Sequence, residues 1–156
     1  MAIVTFYRNH PNPPKTTQRT RLGANALIVH NGKLLLEKRS DCDLWGLVGG
    51  GVRRKETTLQ AITREIWEEI GLRIPQEKLR KLAVYDGSRI AAYQNGSVWK
   101  MVIVAYWLEL EELPTMQISK ESRQLRFFSK EELENIEIVV THSDIIEQWF
   151  MGRENL

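Results

Sequence analysis

Gly50-Gly51-Val52-Arg53-Arg54-Lys55-Glu56-Thr57-Thr58-Leu59-Gln60-Ala61-Ile62-Thr63-Arg64-Glu65-Ile66-Trp67-Glu68-Glu69-Ile70-Gly71-Leu72 reads as a glycine-rich entry, a basic loop and one helix. Thr57-Thr58-Leu59-Gln60 fits a capping box, in which a threonine hydroxyl and a glutamine side chain satisfy each other's free backbone donors. Gly71 stands where a left-handed residue ends a helix. These signals predict a helix from about Thr58 to Ile70. At about 100° per residue, Leu59, Ile62, Ile66 and Ile70 form one apolar stripe that can be buried on a sheet, while Glu65, Glu68 and Glu69 fall on the adjoining arc. Upstream, Val48-Gly49-Gly50-Gly51-Val52 lacks side chains at three consecutive positions. That weakens a strand interior but lets another group approach the backbone closely; a simple turn also satisfies it.

Three glutamates spaced three and four apart repel one another, each pair weakening an isolated helix by about a few tenths of a kcal/mol. A solvated face with Arg64, four residues before Glu68, as an exposed partner is the plainer reading of the spacing alone. The alternative is a divalent cation, since Mg²⁺ and Mn²⁺ favour carboxylate oxygens and keep water and phosphate in their remaining positions.

Working outward, Ile3 to Tyr7 reads as a short strand, followed by an extended connector in which Pro11, Pro13 and Pro14 forbid regular structure. Leu22 to Val29 and Lys33 to Lys38 are apolar, partly β-branched runs flanking Asn31-Gly32, a dipeptide suited to the positive φ angles of a tight hairpin turn. Beyond the helix, Lys81 to Asp86 and Val98 to Leu110 read as strands around the turn signal Asn95-Gly96, and Arg123 to Phe128 as another. Ser129 with Glu132 suggests a second capped helix, and Ile145, Ile146, Trp149 and Phe150 have helical spacing. Strands, one central helix, more strands and then helices argue an α+β layered domain.

The 156 residues, at about 150 per domain, predict a single domain. Hydrophobic residues at 42% and charged residues at 27% are globular values that exclude disorder and fibrous repeats. The longest apolar run, Met101 to Leu108, is far short of the roughly 18 to 20 residues of a membrane helix. The N-terminus has no secretory pattern, so the expected location is cytoplasmic. Cys42 is the only cysteine, which excludes an intrachain disulfide and a cysteine-rich zinc site. His10, His30 and His142 are scattered and form no ligand pattern. Net charge is only +2, too little to argue for nucleic acid, yet residues 1–55 hold ten Lys and Arg against three acids and residues 56–156 hold twelve against seventeen. A basic segment joined to an acidic one can bring cations to phosphates and carboxylates to a metal.

Gly50, five residues, Glu56, seven residues, then Arg64-Glu65-Ile66-Trp67-Glu68-Glu69-Ile70-Gly71-Leu72 resembles the Nudix box, the signature of the Nudix hydrolases (MutT-like), with every defined position filled. The resemblance implies the Nudix fold, an α/β/α sandwich with a central mixed sheet. The motif covers residues 50–72 and continues more loosely upstream from Trp45 and downstream through the strand order; the fold it implies is a single domain over 1–156, with an N-terminal arm at 1–20. It implies cleavage of a pyrophosphate bond in a nucleoside diphosphate linked to another moiety, a nucleotide sugar such as ADP-ribose or a (d)NTP, by metal-assisted attack of water. Carried over by position, Glu65, Glu68 and Glu69 resemble metal-binding carboxylates, with the Gly49 or Gly50 carbonyl as a backbone ligand and Mg²⁺, or alternatively Mn²⁺, as the cofactor. Glu56 would orient Arg64, and Arg64 would hold the glutamates through a planar fork that cannot lose its charge. Arg39 resembles a position that meets substrate phosphates, beside Gly49 and Gly50. Glu121 is similar in setting to a loop glutamate that serves as base, with Glu111, Glu112 and Glu68 as competitors. Trp45, Tyr85, Tyr93, Trp99 and Phe127 offer stacking surfaces, although strand aromatics usually belong to the core.

Three positions depart from the family pattern. Val48 replaces the usual proline, and Arg53 and Lys55 replace an acid and a glycine, making the loop basic. The proline that marks many ADP-ribose pyrophosphatases would fall near Gly87-Ser88 and is missing, as is the tyrosine associated with dinucleoside polyphosphate hydrolases. The expected partner is a nucleotide-derived small molecule, with neither membrane nor nucleic acid, and a homodimer through the Ile3 to Tyr7 arm is left open. The alternative function is a catalytically silent nucleotide-sensing Nudix domain; a purely structural acidic helix leaves the spacing of glycine, arginine and glutamates unexplained.

Overall fold

The computed structural model describes residues 2–154; Met1, Asn155 and Leu156, the outer limits of the expected 1–156 domain, lie outside the described residues. Among the described residues nine strands and two α-helices follow the order β1 (Val4–Arg8), β2 (Arg21–His30), β3 (Lys33–Arg39), β4 (Trp45–Gly46), β5 (Val48–Gly51), α1 (Thr58–Ile70), β6 (Arg80–Tyr85), β7 (Arg89–Tyr93), β8 (Val98–Glu109), β9 (Ser122–Phe128) and α2 (Val140–Glu154).

The β2–β3 hairpin turns at Asn31 and Gly32, whose φ angles of 49° and 74° are those a two-residue turn requires. β2 is the centre of the sheet. It runs parallel to β8 from Arg21↔Met101 to Val29↔Glu109, and antiparallel to β3 at one end and to β5 at the other. The sheet is therefore mixed. Alternation along β2 divides the core into two layers. Ala24, Ala26 and Ile28 meet Ala61, Ile62, Ile66 and Ile70 of α1, while Leu27 and Val29 meet Ile145, Ile146 and Trp149 of α2. Helices on both faces of a mixed sheet make the α/β/α sandwich that the sequence predicts. Each fully buried Leu or Ile stabilises it by about 1.5–3 kcal/mol relative to exposure.

α1 has the predicted ends. Thr57 Oγ accepts from the Gln60 N–H at 3.0 Å, Gln60 Oε1 accepts from the Thr57 N–H at 2.9 Å, and Gly71, at φ 73°, donates its N–H to the Trp67 carbonyl. Three elements differ from expectation. Asn95-Gly96 does not join Lys81–Asp86 to Val98–Leu110, because β7 lies between them and pairs with both β1 and β8. Two alanines in Arg89–Tyr93 leave it without the continuous β-branched pattern of a strand, so only the pairing reveals it. Trp45–Gly46, too short to show alternation, pairs with β3. The Ser129 cap forms, its hydroxyl accepting from the Glu132 N–H at 3.2 Å, but it opens only a 3₁₀ turn over Glu132–Asn135. Glu131, Glu132 and Glu134 crowd that turn with like charge, which does not favour its extension.

Candidate active site

The glycine run and the carboxylate arc meet because β5 lies against α1. Gly49 has a φ of 147°, and a Cβ there would sit 2.2 Å from the Ala24 carbonyl oxygen of the paired strand, so only glycine fits. At Gly50 a Cβ would sit 2.7 Å from the Glu65 carboxyl, so the bare backbone is what admits that side chain.

Arg64 organises the acids around it. Its Nε and Nη2 donate to the two oxygens of Glu56 at 2.7 and 2.9 Å, Nη2 also reaches the Gly51 carbonyl at 3.0 Å, and Nη1 donates to Glu65 at 2.8 Å and Glu68 at 3.2 Å. A guanidinium fork serves two carboxylate oxygens at once, which an ammonium cannot do. That pairing pulls the Glu56 pKa down to about 2 and raises that of Arg64. The Arg53 N–H adds a further bond to Glu56 at 2.9 Å. Glu68, its side chain 45% exposed, sits outside the pocket wall and also pairs with Arg53 at 3.5 Å, which gives the basic loop a defined contact.

Glu69 is different: it is 4% exposed and its Oε2 has no hydrogen-bond partner. Burial first, then contact with the carboxyl of Glu37 and the charge of Glu65, pushes its pKa well above the usual carboxylate range. Glu37, on β3, is equally buried and accepts from the Ser122 hydroxyl at 2.7 Å. Its pKa is raised by burial, against the lowering effect of its hydrogen bonds with Glu69 and Ser122.

Glu65, Glu69, Gly49 and Gly50 line a pocket of about 380 Å³ together with Arg39 and Glu121, so six predicted site residues share one cavity. Arg39 reaches it because β3 changes register between Lys38 and Arg39, an irregularity of the kind that re-aims a side chain at a strand end. Its guanidinium forks onto Asp41 at 2.9 and 2.7 Å and lies 5.1 Å from the Phe6 ring centre. Burial opposes the Asp41 charge, but the Arg39 fork outweighs it and holds the carboxyl below its usual range. Glu121 is tied down through its backbone carbonyl, which accepts from Ser40 N–H at 3.0 Å and Ser40 Oγ at 2.9 Å. Opposite stands Arg21, stacked 4.3 Å from the Trp99 ring centre and bonded to the Tyr93 hydroxyl at 3.0 Å.

Of the candidate stacking aromatics, only Tyr93 lines this pocket. Trp45 is buried against Phe128, Trp99 lies beneath Arg21, Phe127 meets the His30 ring edge-on, and the Tyr85 hydroxyl donates to Gln148. Sequence reading missed Phe6, Arg21, Glu37, Asp41 and His142 on the pocket wall. Glu37 carried a readable signal: it stands two residues after Leu35 and two before Arg39, on the strand face that alternation aims at the α1 side of the sheet. His142 is buried, accepts the Leu47 N–H at Nδ1 and has its pKa pushed down to about 3 by burial and then by Arg39 and Arg89.

Among the described residues no three His, Cys, Asp or Glu side chains stand gathered in metal-ligating geometry. Arg64 holds the facing oxygens of Glu65 and Glu68. The donor set nevertheless suits a hard divalent cation, with carboxylate oxygens, an unpartnered buried Oε2 on Glu69 and a bare glycine backbone against Glu65.

A mixed sheet between two helices, with box acids on one helix facing a glycine strand, defines a Nudix-type domain. A family model described as NUDIX domain matches residues 19–149. A MutT-like protein of Streptomyces ambofaciens is 36% identical over 56 residues, 36% of each chain. The nucleoside triphosphatase NudI of Enterobacter sp. strain 638 is 27% identical over 118 residues, 72% of this chain and 84% of that one. A bifunctional NMN adenylyltransferase/ADP ribose pyrophosphatase from Francisella tularensis, solved with AMP and a Mn ion, superposes with a TM-score of 0.68 at 22% identity. That match covers 92% of this chain and 43% of that one, and it shows a shared fold. The chain thus spans less than two thirds of the Streptomyces and Francisella proteins. It belongs to the Nudix family. Among the described residues no helix is long and apolar enough to cross a membrane.

Proposed function

We propose that this pocket hydrolyses a phosphoanhydride in a nucleoside diphosphate linked to a further phosphate or sugar, with the help of Mg²⁺ or Mn²⁺. The observation that carries the reading is Glu69, a buried carboxyl with an unpartnered oxygen at a pocket that also presents Arg39, Glu65 and Glu121. Glu65, Glu68 and Glu69, with the Gly49 carbonyl, are the residues assigned to hold the cation. When bound, such an ion neutralises phosphate oxygens and lowers the pKa of water.

The chain's own groups supply the rest. Arg64, anchored by Glu56, keeps the α1 carboxylates apart and aligned. Arg39 exchanges its fork from Asp41 to a substrate phosphate, for which a planar guanidinium is well shaped. The Gly49–Gly50 backbone lets the diphosphate approach closely. Glu121 takes the proton of the attacking water as its oxygen bonds to phosphorus and the bridging P–O bond breaks, its electron pair leaving with the departing phosphate. A pocket of about 380 Å³ has room for a nucleotide-sized ligand. The similarity to NudI, a nucleoside triphosphatase, supports the nucleoside triphosphate end of this substrate range.

The test is product analysis against nucleotide sugars, ordinary and oxidised dNTPs and dinucleoside polyphosphates, with and without Mg²⁺ or Mn²⁺. Metal-dependent turnover that falls at least 100-fold in Glu69→Gln is expected, and wild-type turnover in that variant would overturn the assignment of Glu69. Tight nucleotide binding without turnover would instead identify a sensing domain.

A further inference from the structure

Glu37 belongs to no part of the 50–72 motif. It arrives on β3, on the face shared with Leu35, whose side chain packs in the apolar layer between sheet and α1. There it meets Glu69, and each residue is only 4% exposed. A buried acid is costly without a cationic or hydrogen-bonding partner. For Glu37 the protein supplies the hydroxyl of Ser122, from β9, at 2.7 Å. It supplies no guanidinium fork to either acid. Arg64 spends its donors on Glu56, Glu65, Glu68 and Gly51, and Arg39 forks onto Asp41. One oxygen of Glu69 therefore remains unpartnered beside a second buried carboxyl, at the wall of the pocket that both line.

We propose that Glu37 is an additional carboxylate of the cation site, contributed by β3, which forms with Glu69 the deep end of that site. The proposal rests on the metal-assisted reading given above and adds to it a residue outside the helix. Its chemistry is that of a hard cation, which gains from every anionic oxygen it can reach and offsets the mutual repulsion of the acids that hold it. Ser122 is a positioning residue here: it holds one Glu37 oxygen, and the cation takes the place of the contact between the Glu37 and Glu69 carboxyls. The functional consequence is order of binding. With a buried carboxyl pair beside Glu65, the protein holds its cation before any nucleotide supplies phosphate oxygens.

The experiment is a titration of the metal-free full chain with Mn²⁺ in the absence of nucleotide, read by calorimetry and by the loss of free Mn²⁺ resonance, alongside thermal melts in chelator. Wild type is expected to bind Mn²⁺. Glu37→Gln, which keeps the volume and can still accept from Ser122, is expected to bind it about 10- to 100-fold more weakly. Its metal-free melting temperature is expected to stay level or rise, because one of two facing buried acids has been neutralised. Weaker cation binding without a loss of stability is a combination that a purely structural acid does not produce. If the glutamine variant fails to fold, Glu37→Asp, with its carboxylate drawn back by one methylene, is judged on the same binding criterion. Mn²⁺ affinity within threefold of wild type overturns the role of Glu37 and leaves the metal-assisted reading standing. Absence of Mn²⁺ binding in wild type overturns both.

Discussion

At the scale of single residues, His142 shows how burial sets chemistry. Its Nδ1 accepts the Leu47 N–H at 3.1 Å and so must carry no proton there. Burial and the nearby charges of Arg39 and Arg89 bring its pKa from 6.5 down to about 3. The unfolded chain therefore binds a proton that the folded chain refuses between those values. The stability this contributes is full above about pH 6.5 and declines as the pH falls toward 3, at up to about 1.4 kcal/mol per pH unit. Denaturant titrations across that range should show the decline, and His142→Gln should flatten it relative to wild type. An unchanged slope in the variant would mean that other groups carry the acid sensitivity. Neither the burial nor the charge neighbours of His142 could be read from a lone histidine in the sequence, because Leu47 is 95 residues away.

At the scale of elements, β5 and α1 work as a pair, and two adjacent glycines separate what each contributes. A methyl group at Gly49 meets backbone, the Ala24 carbonyl oxygen at 2.2 Å, and backbone in a paired strand cannot yield. At Gly50 the three atoms nearest an added methyl all belong to the Glu65 carboxyl, the far end of a side chain that can swing away. Gly49→Ala is expected to lose about 3 kcal/mol or more, combining strain at a positive φ with a clash. Gly50→Ala should remain within about 1 kcal/mol of wild type while losing cation affinity as Glu65 is displaced. Thermal melts with Mn²⁺ titrations would distinguish the two, and equal melting temperatures would show that the β2–β5 backbone accommodates what the geometry says it cannot. The capped helix and its apolar stripe were legible because a helix is written in neighbours three and four residues apart. β7 was not, since Ile90-Ala91-Ala92 acquires its strand character only from pairing with β1 on one side and β8 on the other.

At the scale of the whole molecule, the pocket is assembled from both ends of the matched region and beyond it. Phe6 lies on β1, outside residues 19–149, and reaches the pocket because β1 pairs with β7 while the Ile3 N–H bonds to the Asp41 carbonyl at 2.7 Å. The N-terminal strand thus closes on the loop that holds Asp41 beside Arg39. Phe6→Ala is expected to raise KM by about three- to tenfold, with kcat nearly unchanged, because the ring and its contact with Arg39 support binding equally in the ground and transition states. A fall in kcat with constant KM would place Phe6 in the chemical step instead.

The sequence by itself determined what depends on short spacing: the helix and its caps, the Asn31-Gly32 hairpin, the glycine entry, and the presence of an arginine among spaced acids. These are local because capping, turn conformation and helical faces are decided within a few residues. It also carried the family resemblance that the 19–149 match bears out. Only the tertiary structure decided which charges meet. Glu37 opposite Glu69, Arg39 turned onto Asp41, Arg21 stacked on Trp99 and Glu121 held at Ser40 all depend on pairing and packing between segments distant in the chain. Their common physical reason is burial: a carboxyl acquires its altered proton affinity and its need for a partner only when the folded sheet and helix remove water from around it.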